Sequence, residues 1–150
     1  MNELRELYQE LIIDHSKRPR NFHPLPDPEH RADGYNPLCG DKVTVYLNTE
    51  DGRVQDISFQ GSGCAISTAS ASIMTETLKG RSRDEVAAIF KKFHRLLTQD
   101  ETGTDGNPEL GKLVVFSGVH EFPLRVKCAS LPWHTMNAAL ERKSETISTE

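Results

Sequence analysis

The order of elements along this 150-residue chain predicts an α+β fold. Three observations lead there. Apolar residues near the N-terminus recur at helical spacing. The stretch after residue 41 alternates apolar and polar positions and is split by an Asp-Gly turn. From residue 65 onward the pattern returns to helical periodicity. A chain of this length suits one compact domain, expected to cover residues 1–143, with a polar tail over 144–150 expected to fray.

Residues 3–15 read as a helix, with Leu4, Leu7, Tyr8, Leu11 and Ile12 on one stripe. It should end before Pro19, because proline disfavours a helical residue ahead of it. Residues 19–37 hold five prolines and predict an extended segment lying on the surface. A strand follows over 42–48, with Val43, Val45 and Leu47 facing one way. Asp51-Gly52 turns the chain, and residues 53–60 return as a second strand carrying Ile57 and Phe59. A third strand is expected within 26–36. Gly61-Ser62-Gly63 breaks the pattern before a helix over 65–79, rich in small residues and stopped by Gly80. Ser82 and Glu85 form a capping-box pair for the next helix, whose apolar face is Val86, Ile89, Phe90, Phe93, Leu96 and Leu97. Residues 98–107 read as an exposed loop and 109–118 as a short helix. The last helix is expected from Trp133 to Arg142, with Trp133, Met136, Ala139 and Leu140 in the core.

The formal net charge is −4, and the one local basic cluster is Lys17, Arg18 and Arg20, too small to argue for a nucleic-acid partner. No apolar run approaches the roughly 20 residues that span a bilayer, and residues 1–10 carry no secretory pattern, so a cytoplasmic protein without membrane attachment is expected.

Three cysteines in a reducing compartment favour metal or thiol chemistry over disulfides. Cys39 and Asp41 are two residues apart and, in an extended chain, point to the same side. Gly40 between them permits unusual backbone angles. Cys64 follows Gly61-Ser62-Gly63 and directly precedes a helix, whose N-terminus favours a thiolate. The glycines would let another group approach the backbone closely. Cys128 lies among Arg125 and Lys127, two cations expected to favour its thiolate. Three sulfurs and a carboxylate match a tetrahedral zinc set and equally suit an iron–sulfur cluster. Spacing alone leaves open the other reading, two buried cysteines and a bystander.

Leu7-Tyr8-Gln9-Glu10, Asp14-His15, Pro19-Arg20-Asn21, Asn36-Pro37-Leu38-Cys39-Gly40-Asp41 and Gly61-Ser62-Gly63-Cys64-Ala65-Ile66-Ser67 occur in this order. Together they resemble the IscU/SufU family of iron–sulfur cluster biogenesis proteins, over nearly the whole chain to about residue 140. Lys127 stands where the IscU scaffolds carry a histidine, and the stretch around 98–112 is longer than theirs. Both departures, with Lys127-Cys128-Ala129-Ser130-Leu131-Pro132-Trp133-His134, resemble the SufU branch.

The resemblance implies a small antiparallel β-sheet packed against several α-helices, the SufE/IscU-like fold. It implies that Cys39, Asp41, Cys64 and Cys128 converge to bind one Zn2+ per chain. It further implies a zinc-dependent sulfurtransferase in which Cys39, released from zinc when a partner histidine takes its place, accepts persulfide sulfur. The implied partners are a PLP-dependent cysteine desulfurase of the SufS type and downstream Suf assembly proteins. The alternative is a non-enzymatic scaffold that holds a transient iron–sulfur cluster. Arg125 and Lys127 are auxiliary candidates that would offset the negative charge of the ligand set. His15 is read as a C-terminal cap of the first helix and His134 as a structural hydrogen-bonding residue. His23, His30, His94 and His120 receive no role.

Overall fold

A computed structural model describes residues 2–98, 108–141 and 147–148. The expected loop over 98–107 lies almost wholly outside them. Helix α1 spans Asn2–Lys17. Strands β1 (His30–Asn36), β2 (Asp41–Glu50) and β3 (Arg53–Ser62) form an antiparallel meander, and helices α2 (Ala65–Leu78), α3 (Arg83–Thr98) and α4 (Pro123–Leu140) follow. Between α3 and α4 the chain makes two 3-10 segments, Pro108–Phe116 and Val119–Glu121, the first kinked at Gly111. The α+β class expected from the sequence is the one observed.

The hairpin forms where its turn chemistry dictates. Asp51 and Gly52 both adopt positive φ (54° and 75°), the geometry of a two-residue hairpin turn, and Glu50 faces Arg53 across it. Val43, Val45 and Leu47 point to the core with Ile57 and Phe59. The third strand is β1, paired so that Asn36 faces Asp41 across a four-residue turn. Ile147 and Ser148, inside the segment expected to fray, pair in parallel with Gly34 and Tyr35 and add a short edge strand, β4 (Ile147–Ser148). The proline-rich segment lies along the sheet as anticipated: the Asn21 carbonyl accepts the Phe59 N–H, and Phe22 meets Phe59 edge-on at 5.2 Å.

Helix α2 is buried on nearly every side. Ala69, Ser70 and Ser72 are fully shielded between α1 and α4, and Ser70 Oγ donates to the Ala129 carbonyl at 2.6 Å. The small residues admit this close packing. The capping box closes reciprocally: Ser82 N–H to Glu85 Oε1 (3.0 Å) and Glu85 N–H to Ser82 Oγ (3.1 Å). Trp133 fills the centre against Phe93 (4.8 Å), with its indole N–H on Ser70.

Two expectations need correction. Helix α4 begins at Pro123, ten residues before the expected Trp133. Pro132 reads as a helix boundary, yet it sits inside α4, where the packing of a fully buried turn outweighs one lost backbone hydrogen bond. Leu7 belongs to the predicted apolar stripe of α1 but is exposed; Tyr8, Leu11 and Ile12 make the contact with the core.

Candidate metal centre

Three elements bring the sulfur-bearing residues to one end of the sheet. The β1–β2 turn carries Cys39. Its form follows from Asn36, whose carbonyl accepts the N–H groups of Cys39 (3.3 Å) and Gly40 (2.8 Å), and whose Oδ1 accepts that of Leu38 (3.2 Å). Gly40 holds φ at 73° with open space around it, as a turn before a strand requires. Cys39 is partly exposed and Leu38 beside it is strongly exposed.

Asp41 opens β2 and is fully buried. Its Oδ1 accepts the backbone N–H of Cys64 at 2.8 Å. A β-carbon on Gly63 would lie 2.5 Å from that same oxygen, so the glycine expected to permit close approach does so toward Asp41. Cys64 is the N-cap of α2: its Sγ accepts the Ser67 N–H at 3.4 Å and lies 3.8 Å from Asp41 Oδ2. Cys128 is buried in the second turn of α4. Pro132 cannot supply the N–H that the Cys128 carbonyl would otherwise accept four residues earlier in the helix.

The ligand atoms of Cys39, Asp41 and Cys128 all lie within 4.8 Å of one another, a grouping that can hold a metal ion. The Cys39 and Cys128 sulfurs are 3.2 Å apart. Cys64 adjoins this trio through Asp41. Burial pushes the Cys128 thiol far above the usual cysteine range, and hydrogen bonding with Asp41 and Cys39 and the nearby Cys64 add to the effect. This corrects the expectation that Arg125 and Lys127 would lower it. Burial dominates, and the exposed Arg125 guanidinium lies over the Phe122 ring, 4.5 Å from its centre. Lys127 is half-buried in α4.

Two sulfurs and one carboxylate meet here, and Cys64, outside that grouping, lies 3.8 Å from the same carboxylate; with Cys64 as a fourth donor the set would have the number and softness that tetrahedral zinc takes. A divalent cation would supply positive charge among these buried donors.

The histidines lie elsewhere. His15 does not cap its own helix as expected: it lies within α1 and bonds Ser72 through Nδ1 (2.7 Å), tying α1 to α2, while His134 meets the rings of Phe90 and His94. Asp14 is paired with Arg18 and Arg20, so two members of the basic cluster are engaged within α1 and the strap that follows it. Asn36 is the residue of this site that sequence reasoning did not single out. Its Nδ2 donates to Cys128 Sγ at 3.7 Å.

The chain and its fold are similar to known proteins. Residues 7–129 match the model of the NifU-like N terminal domain. The chain is 36% identical to the zinc-dependent sulfurtransferase SufU of Bacillus subtilis, over 93% of each protein. It is 35% identical to the iron–sulfur cluster assembly scaffold protein IscU of Streptococcus pyogenes, over 96% of this chain and 89% of that one. Among solved structures, a putative iron–sulfur cluster assembly scaffold protein for the SUF system from Fervidobacterium islandicum superposes with a TM-score of 0.80 at 33% identity, covering 91% of this chain and 98% of that one. A NifU-like N-terminal protein from Brucella abortus shares the fold (TM-score 0.82, 24% identity), covering 93% and 95% of the two chains.

Proposed function

The chain belongs to the family of the NifU-like N-terminal domain, whose relatives act in iron–sulfur cluster assembly, and from that premise we propose that it is a zinc-dependent sulfurtransferase accepting persulfide sulfur from a cysteine desulfurase. Cys39, Asp41, Cys64 and Cys128 hold one zinc ion per chain in this reading, and a desulfurase of the SufS type is the donor. Downstream Suf assembly proteins take the sulfur onward.

The observation that carries the reading is the unequal anchoring of the three sulfurs. Cys39 and Cys64 are both partly exposed, but Cys64 is fixed as the cap of one helix and Cys128 is buried within another, whereas Cys39 sits on a four-residue turn next to a left-handed glycine. Zinc, if held by these residues, would supply the positive charge that keeps the thiols of Cys39, Cys64 and Cys128 deprotonated at neutral pH. The turn carries the Cys39 thiolate to the surface. There it attacks the outer sulfur of the partner's persulfide; a new S–S bond forms on Cys39, the old one breaks, and the desulfurase cysteine leaves as a thiolate. Asp41 stays on the Cys64 N–H, and α2 and α4 keep the other two sulfurs in place. The name of the Bacillus relative supports this activity, and that of the Streptococcus relative supports the scaffold alternative.

Incubation with a SufS-type desulfurase and cysteine, followed by peptide mapping, tests the assignment. A gain of about 32 Da, one sulfur atom, is expected on Cys39, from protein that contains one zinc per chain. Zinc-free native protein, or a persulfide on Cys64 or Cys128 alone, overturns it.

A further inference from the structure

Asn36 is fully shielded from solvent at the end of β1, and its hydrogen bonds reach two of the proposed ligands. Its carbonyl and Oδ1 hold the Cys39 turn through the N–H groups of Leu38, Cys39 and Gly40. On its other side, Nδ2 donates to the sulfur of Cys128 on α4, 92 residues away in sequence. Across the ladder it faces Asp41, a third proposed ligand. One buried residue thus holds the Cys39 turn, through its main-chain carbonyl and through Oδ1 on Leu38, and reaches the Cys128 sulfur through Nδ2.

We infer that Asn36 is a positioning residue of the metal centre, setting the separation of Cys39 from Cys128 and orienting the Cys128 sulfur by donating to it. The inference rests on the zinc reading of the site. A carboxamide suits the task because it presents an acceptor on one side and a donor on the other, whereas an ionised carboxylate accepts only and a hydroxyl is too short to span both groups. An N–H directed at a thiolate is charge-assisted and strengthens once the proton is gone. Partners of this kind, outside the ligand set, orient the ligands, and their loss costs roughly 10–100-fold in metal affinity.

Two variants separate the donor from the turn. Asn36→Ser and Asn36→Asp each keep an oxygen for the Leu38 N–H and lose the donor to Cys128. Zinc affinity is read by competition with a chromophoric chelator, and the cobalt(II)-substituted site by its thiolate-to-metal absorption. Circular dichroism and melting of the zinc-free proteins establish that each variant is folded. Zinc affinity is expected to fall about 10–100-fold in both, with an altered cobalt spectrum. If the carboxylate variant does not fold, the serine variant decides the question. A folded Asn36→Ser protein with wild-type affinity and an unchanged cobalt spectrum overturns the inference while leaving the zinc centre standing. Wild-type protein that binds no zinc overturns both.

Discussion

The Asp41 carboxylate accepts the backbone N–H of Cys64 at 2.8 Å, joining the first residue of β2 to the N-cap of α2. The carboxylate therefore has a structural partner as well as a place in the sulfur cluster. Its position depends on the absence of a side chain at Gly63.

Gly63→Ala follows directly. The added methyl would lie 2.5 Å from Asp41 Oδ1 and 3.0 Å from its carboxyl carbon, too close to fit without displacement. Overpacking of this kind costs about 1–3 kcal/mol. Urea unfolding of the zinc-free variant should detect that loss, and its zinc content should fall as Asp41 is pushed aside. Unchanged stability and zinc content would show that the carboxylate has room to move.

Lys127→His separates the two functional readings. A lysine ammonium has three donors and no lone pair, so it cannot ligate while charged; a neutral imidazole can. Under identical anaerobic reconstitution with iron and sulfide, the wild type is expected to hold at most a labile cluster and the variant a more persistent one, judged by visible absorption. Wild-type zinc protein should stimulate the desulfurase in parallel. A stable, stoichiometric cluster on the wild type with no stimulation by its zinc form would favour the scaffold.

A pH dependence is expected from His15. Burial chiefly, and then the charge of Arg20, hold its imidazole below the ordinary value of 6.5, against the opposing pull of Glu76. A histidine depressed in the folded state is protonated more readily in the unfolded chain. Its contribution is thus intact above 6.5 and is lost as pH falls through the folded value. His15→Gln removes that titration and leaves an amide that can still reach Ser72. Between about pH 7 and pH 5 the variant should lose less stability than the wild type in urea unfolding. His134 is depressed in the same direction and remains, so the slope diminishes without vanishing. Equal slopes for the two proteins would remove His15 from the account.

The parts legible in the sequence were those specified by local chemistry. Asp51-Gly52 dictated the hairpin, Ser82 with Glu85 dictated a helix start, and Cys64 after two glycines was recognisable as a helix-opening cysteine. The start of α4 was not legible, because Pro132 imitates a boundary and only the surrounding burial keeps the helix intact. That error also hid the setting of Cys128. Its cationic sequence neighbours suggested an activated thiol, whereas its place within a buried helix raises it. Asn36 carried a partial signal, since an Asn-Pro pair at the end of a strand marks an Asx-type turn. Its reach to Cys128 exists only after α4 packs on the sheet.

The separation of the paired sulfurs bears on how the protein is made. Cys39 and Cys128 are 89 residues apart in the chain and 3.2 Å apart in space. At elongation speeds of roughly 5–20 residues per second, that stretch of 89 positions takes about 4–18 s to synthesise. Asp41 and Cys64 are added within that interval, before the helix bearing the last sulfur has been made. Cys128 is thus the last of the four to be made, and its sulfur can join the others only once α4 has been synthesised.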